Sequence, residues 1–113
     1  MLSFDDAVKL HTTKRGFKPD KHWRSLLYLA TSCETLWNLM WPVIALKEGN
    51  ADLQAINLDH LSSGQRILVK AARELYNQGD SFSIAKAADT LDEKYWGILL
   101  NAISIYGGTK TGE

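Results

Sequence analysis

The chain has few of the residues that would indicate a disulfide framework or an irregular fold. Its 113 residues include one cysteine, Cys33, and two prolines, Pro19 and Pro42. A single cysteine cannot form an internal disulfide, and it excludes a zinc site built from several thiolates. We therefore expect a hydrophobic core to hold the chain together, and its length and 45% hydrophobic composition are sufficient for one.

Charge imbalance and long apolar runs are also missing. Lys and Arg together number 13, and so do Asp and Glu, so the formal net charge is zero. This balance permits a local basic patch but does not require a nucleic-acid partner. No apolar run reaches the roughly 20 residues that span a bilayer, and no secretory signal follows Met1. These absences predict a cytoplasmic protein with no membrane partner.

What the sequence contains instead is a series of helical patterns separated by short turns. Ser3, with Asp6 three residues later, is typical of a helix start, and Gly16 is typical of a helix end. An apolar stripe at helical spacing then begins near Asp20. These patterns predict a first helix between Ser3 and Gly16 and a second helix that starts near Asp20.

Residues 20–46 leave two interpretations open. Thr31 and Glu34 resemble another capping box, which favours a break between two helices at that point. Pro42 removes a hydrogen bond and clashes with the preceding turn, so it must kink a helix or begin a new turn. The segment is therefore either one kinked helix or two helices, and we prefer the break.

The C-terminal half contains the clearest helical pattern. Ser62 and Gln65 resemble a capping box at the start of a fourth helix, which Gly79 ends. A short helical piece is expected at residues 84–88, and a last helix runs from Asp92 to the glycines at 107 and 108. The residues of that helix expected to face the core are Tyr95, Trp96, Leu99, Leu100, Ile103 and Tyr106.

No segment alternates between apolar and polar residues as a half-buried strand would. The predicted fold class is therefore all-α, a compact bundle of about five short helices. One helical domain is expected over residues 1–108, followed by a flexible C-terminal tail at residues 109–113.

Residue types that carry chemistry are present without the spacing that the chemistry requires. The three histidines, His11, His22 and His60, form no metal-ligand pattern, and we interpret them as ordinary surface or boundary residues. Cys33 lies on the apolar stripe, where a free cysteine behaves as a small hydrophobe. We predict no catalytic residue, no metal and no cofactor, and an enzyme with an unrecognised site is the third of our hypotheses.

The segment from Leu36 to Leu46 is nearly all apolar, with Asn38 as its one polar residue. A helix that is apolar all round must be covered on every side. The segment is therefore either the central helix of the bundle or partly exposed as a partner surface. In the second interpretation the contact residues are Trp37, Met40 and Trp41, because Trp and Met are enriched at interfaces.

Basic residues cluster in two parts of the chain. The first group is Lys14, Arg15, Lys18, Lys21 and Arg24, and the second is Arg66, Lys70 and Arg73 on one face of the fourth helix. If the two groups converge, they form a patch that can neutralise several phosphates of a nucleic acid. The alternative is a solvated face with no ligand.

Three sets of residues within positions 20–108 carry a resemblance to known proteins. They are Leu61-Ser62-Ser63-Gly64 followed by Leu68, Ala72 and Leu75-Tyr76-Asn77, then Leu91-Asp92-Glu93 with Ala102-Ile103, and the apolar Leu26-Leu27-Tyr28-Leu29. This pattern resembles a family of short uncharacterised proteins of Gram-positive bacteria and their prophages. The resemblance implies an all-α cytoplasmic protein carried by a mobile element, and it transfers no activity or site residue.

The leading hypothesis is a non-catalytic helical protein that acts through protein–protein contact, including self-association as a homo-oligomer. Its basis is the apolar segment with two tryptophans. The alternative is a nucleic-acid-binding module that uses the two basic groups, and it predicts binding that weakens steeply with salt.

Overall fold

The computed structural model describes residues 1–76, 79 and 82–108, so the predicted tail at 109–113 lies outside the described residues. Within the described part the fold is largely helical, and the predicted all-α class is confirmed. The helices are α1 (Phe4–Arg15), α2 (Lys21–Thr31), α3 (Glu34–Met40), α4 (Ser63–Leu75), α5 (Ile84–Thr90) and α6 (Glu93–Tyr106). Two 3₁₀ helices, Trp41–Val43 and Leu53–Ala55, and a short hairpin of β1 (Ile44–Ala45) and β2 (Asn50–Ala51) connect α3 to α4.

Side-chain caps decide where several helices begin. Ser3 and Asp20 accept hydrogen bonds from the backbone N–H three residues later, at 3.1 and 3.0 Å, and Asp92 does the same at 2.8 Å. Gly16 adopts the left-handed conformation at the end of α1, with φ of 81°. These bonds satisfy backbone groups that a helix end leaves without partners. The predicted ends of α1 and the predicted starts of α2 and α6 are therefore confirmed.

The predicted break between α2 and α3 is confirmed, but the predicted capping box is wrong. Thr31 is the last residue of α2, and its hydroxyl donates to the carbonyl oxygen of Leu27 at 2.7 Å. Cys33 instead precedes α3, with extended backbone angles and no capping hydrogen bond from its side chain. A threonine hydroxyl that bonds back into its own helix cannot cap the next one.

The apolar segment 36–46 is not a single helix. The α-helix ends at Met40, and Pro42 follows inside the 3₁₀ helix Trp41–Val43. The chain then enters the hairpin, where Ile44 is paired with Ala51 in antiparallel register. Strands of two residues are too short to show the alternation by which strands are recognised, so the sequence did not predict them.

The start of α4 carries the complete capping box that the sequence predicts. Ser62 accepts from the N–H of Gln65 at 3.2 Å, and the Gln65 side chain accepts from the N–H of Ser62 at 3.0 Å. The helix ends at Leu75, before the predicted stop at Gly79. The strong start fixes the register of α4 and therefore the face on which each of its charged residues lies.

Helix α2 lies at the centre of the molecule and contacts α1, α3, α4 and α6. Leu26, Leu29, Leu68 and Leu99 belong to the main core and are buried. A second, smaller cluster around Leu27 joins α1 to the hairpin. Among the described residues, no helix has both the length and the apolar character needed to cross a membrane.

The exposed face of α6 differs from the prediction. Ile98, Leu99 and Ala102 are its buried residues, whereas Leu100 and Ile103 are 43% and 36% exposed. The helix is apolar on most of its circumference, so periodicity alone could not identify its inner face. One apolar side of α6 therefore remains open to solvent.

Candidate partner-binding face

An apolar groove lies between α4, α5 and α6 and has a volume of about 170 Å³. The residues that line it are Ala71, Glu74, Leu75, Phe82, Ile84, Leu99 and Ile103. All of them are apolar except Glu74, which lies on α4. This groove and the exposed side of α6 form one continuous apolar surface, because Ile103 belongs to both.

The apolar surface arises from the way α5 is attached. This helix has seven residues, and Ala87 is its one buried residue. An alanine is a small anchor, so α5 covers little of α6. Ile84, in its first turn, is left 61% exposed, and Leu100 and Ile103 share a side of α6 because they are three residues apart. We call Phe82, Ile84, Leu100 and Ile103 the apolar face.

A second groove, with a volume of about 300 Å³, lies between α4 and α5. The residues that line it are Ser63, Arg66, Ile67, Lys70, Phe82, Ser83, Lys86 and Thr90. Three of them are cations and three are hydroxyl residues, and no carboxylate is found among the described lining residues. We call this the basic groove, and its composition suits an anionic group.

The cations of the basic groove come from two helices. Arg66 and Lys70 are four residues apart on α4, and Lys86 lies opposite them on α5. Hydrogen bonds hold the guanidinium of Arg66, whose Nε donates to Leu58 at 2.9 Å and whose Nη2 donates to Asp59 at 3.2 Å. These bonds use two of the five N–H groups of the guanidinium. The guanidinium of Arg66 is therefore held in a fixed orientation and keeps further N–H groups for a ligand.

Phe82 lines both grooves, so the apolar face and the basic groove are contiguous. Along α4 the charged residues of the two grooves follow one another at four-residue spacing, as Arg66, Lys70 and Glu74. Residues at this spacing form a ridge on one side of a helix. The surface is therefore basic at the Arg66 end and apolar at the Glu74 end, where Glu74 is exposed and contributes no polar atom to the groove.

The predicted basic residues of α4 have different fates. Arg66 and Lys70 line the basic groove, but Arg73 is only 6% exposed, so its predicted position on an exposed face is wrong. Its guanidinium donates to the carbonyl oxygens of Leu53 and Ile56, both at 3.2 Å. The loop that contains the 3₁₀ helix Leu53–Ala55 covers this side chain, and the helical spacing of α4 gave no sign of that loop.

The basic residues of the first quarter of the chain do not join the groove. None of Lys14, Arg15, Lys18, Lys21 and Arg24 is among the described residues that line it. Arg15 donates to the carbonyl oxygen of Lys47 at 3.2 Å and lies 5.4 Å from the ring centre of Phe17. Lys21 lies 4.9 Å from the ring centre of Tyr106. The convergence of the two predicted groups is therefore not observed.

The three predicted protein-contact residues differ in how deeply they are buried. Met40 is completely buried in the main core, so its predicted exposure at a partner surface is wrong. Trp37 and Trp41 are half-buried and stack on each other, with ring centres 4.4 Å apart and planes 12° from parallel. The two tryptophans are four residues apart, a spacing that brings side chains together, and their rings cover each other. Their role in protein contact stays a prediction.

One histidine departs from the expected surface or boundary position. His11 is completely buried, and neither ring nitrogen has a hydrogen-bond partner among the residues that the structure describes. Its ring lies 5.1 Å from that of Trp23 and 6.1 Å from that of Phe17. Burial lowers the pKa of His11 and outweighs the nearby backbone of Phe17, which raises it; the cation of Arg15 lowers the pKa further, and Asp20 opposes it. The neutral imidazole therefore acts as part of the core.

The described residues contain no group of three or more side chains placed to hold a metal ion. Cys33 is half-buried and packs against the main core. His22 places its Nδ1 3.0 Å from the carbonyl oxygen of Leu75. These side chains occupy structural positions outside the two grooves.

Sequence reasoning did not single out Phe82, Ile84 or Lys86. The available signal was an apolar pair on either side of the helix start at Ser83, which accepts from the N–H of Lys86 at 3.2 Å. Such a short helix offers too few residues for periodicity to identify its faces. No protein-family model, no curated protein and no solved structure matches this chain.

Proposed function

We propose that this protein is a non-catalytic binding domain that contacts another protein through the apolar face. The observation that carries the proposal is that Ile84 and Ile103, which are 61% and 36% exposed, line one apolar groove, while Leu100, three residues before Ile103 on α6, is 43% exposed. Contiguous exposed apolar surface next to polar residues is typical of interaction sites.

The free energy available from this face can be approximated. Complete burial of one Leu or Ile side chain contributes roughly 1.5–3 kcal/mol. At the observed exposures the three residues together would contribute about 3 kcal/mol on contact with a partner. Association itself costs roughly 4–15 kcal/mol. The apolar face therefore supplies the centre of an interface and needs further contacts around it.

Photo-crosslinking in cells that express the protein tests this proposal. A benzophenone amino acid replaces Ile84 in one variant and Phe17, which is exposed in the turn between α1 and α2, in the control. We expect a discrete protein adduct at position 84 and none at position 17. Equal labelling at both positions, or no adduct at position 84, would contradict the proposal.

Self-association is one form of the same proposal. Light scattering over a wide concentration range shows whether molar mass rises, and Ile84→Ser with Ile103→Ser would then restore the monomer. A constant monomer mass would assign the face to a different protein. The cytoplasmic location expected from the sequence belongs to this proposal as well.

A further inference from the structure

We propose that the partner presents an acidic amphipathic segment, whose apolar side chains fill the apolar groove and whose carboxylates enter the basic groove. This inference rests on the proposed function, because it identifies the chemistry of the partner at the same surface. Its basis is the contiguity of the two grooves through Phe82. A segment that fills the first groove and extends past Phe82 reaches the second.

Charge complementarity selects an acidic segment. Arg66, Lys70 and Lys86 surround the basic groove, and no described lining residue neutralises them. The hydroxyls of Ser63 and Thr90 add hydrogen-bond donors to the same groove. Carboxylates accept hydrogen bonds from all of these groups, and bonds between charged partners are stronger than neutral ones.

The order of charges along α4 sets the direction of the segment. Eight residues separate Arg66 from Glu74, which corresponds to about 12 Å along a helix. The carboxylates of the segment lie at the Arg66 end, and its apolar residues follow toward Glu74. A basic residue of the partner fits beside Glu74, because like charges at that end would repel.

The grooves favour a protein over the other large anionic ligands. A single-stranded nucleic acid is held by stacking of its bases on aromatic rings, and Phe82 is the one aromatic side chain among the described lining residues. A membrane surface contacts protruding residues, whereas the two sites are concave. A protein segment with aliphatic side chains and nearby carboxylates complements both grooves at once.

The test is a selection from a phage-displayed library of random peptides of roughly 12 residues, long enough to cross both grooves in extended or helical form. The intact protein is immobilised as wild type and as two groove variants, Ile84→Ser/Ile103→Ser and Lys70→Glu/Lys86→Glu. The control for charge is Lys9→Glu/Lys47→Glu, which reverses two exposed lysines elsewhere. Circular dichroism verifies that each variant is folded, as expected for substitutions at accessible positions.

We expect the selection on the wild-type protein to enrich peptides that combine Leu, Ile or Phe with Asp or Glu. Their affinity should fall at least about tenfold in Lys70→Glu/Lys86→Glu, where attraction becomes repulsion, and remain unchanged in the control. A selection repeated on that variant should instead enrich Lys and Arg peptides. Ile84→Ser/Ile103→Ser should abolish binding of both kinds.

Other outcomes overturn the inference in distinguishable ways. Apolar peptides that require Ile84 and Ile103 but show no acidic preference would contradict the acidic segment and leave the proposed function intact. No peptide that depends on Ile84 and Ile103 would contradict both. Salt-sensitive binding of a single-stranded oligonucleotide, or of phosphatidylserine vesicles, that is lost in Lys70→Glu/Lys86→Glu would assign the groove to phosphates. A homodimer that Ile84→Ser/Ile103→Ser dissociates would make the occupant a second copy.

Discussion

Leu99 and Leu100 are neighbours on α6 in opposite environments, and they represent two regions of the molecule. Leu99 is 1% exposed in the core that α2, α4 and α6 share and forms the floor of the apolar groove, whereas Leu100 is 43% exposed on the open side of α6. The core region buries its apolar side chains within the chain. The region around α5 does not, since its single buried anchor is Ala87. The difference is that the second region leaves apolar side chains exposed, which is the basis of the proposed contact.

The largest effect is expected from substitutions at this pair. Leu99→Ala removes a buried side chain and should lower the free energy of unfolding by roughly 2–5 kcal/mol. Leu100→Ala should lower it by less than about 1 kcal/mol, because its side chain is already partly in water. Urea denaturation monitored by circular dichroism measures both. Similar losses for the two variants would show that the surface is part of the folding core.

The second largest effect separates the two arginines of α4. Arg73→Ala leaves the carbonyl groups of Leu53 and Ile56 without a guanidinium donor in a buried position, and should cost roughly 3 kcal/mol of stability. Arg66→Ala removes a more exposed side chain and should cost about 1 kcal/mol or less. Thermal unfolding of the two variants provides the comparison. A greater loss for Arg66 would contradict the assignment of Arg73 as structural and Arg66 as available to a ligand.

A third effect depends on pH and concerns His11. Because burial lowers its pKa in the folded state, the unfolded chain takes up the proton first as the pH falls. The contribution of neutral His11 is therefore present above a pH of about 6.5 and is lost below it, by at most about 1.4 kcal/mol per pH unit. Denaturation at several pH values should show a flatter profile for His11→Leu than for wild type. Parallel profiles would mean that His11 does not titrate differently in the two states.

The smallest effect on binding is expected at the tryptophan pair. Trp37→Ala removes the stack with Trp41 and should cost about 1 kcal/mol in stability beyond the lost apolar area. Binding at the apolar face should not change, since neither tryptophan is among the described lining residues of the grooves. The yield of the crosslinked adduct at position 84 measures binding at the apolar face. A large loss of adduct would indicate that the contact surface includes Trp37 on α3, as the sequence predicts.

Local signals explain which parts of the fold were predictable. Ser3, Ser62 and Asp92 start helices through bonds to residues three positions away, so the sequence itself contains the whole interaction. The breaks at Gly16 and Pro42 have the same local origin. The compact helical fold followed from these signals together with apolar spacing.

The remaining features depend on residues that are distant in sequence. Arg73 is buried because a loop about 20 residues earlier in the chain supplies its acceptors. The open side of α6 exists because α5 covers it incompletely, which no pattern within α6 could indicate. The basic groove likewise requires Lys86 to lie opposite Lys70. The candidate site was therefore beyond prediction from spacing, except for Arg66 and Lys70.

The most direct test of the account compares photo-crosslinking at positions 103 and 37 in cells that express the protein. Both positions are partly exposed, but one lies on the apolar face and the other on the stacked tryptophan pair. We expect a discrete protein adduct from position 103 that Ile84→Ser weakens, and no adduct from position 37. An adduct from position 37 alone would contradict the central claim that the face between α5 and α6 is the contact surface.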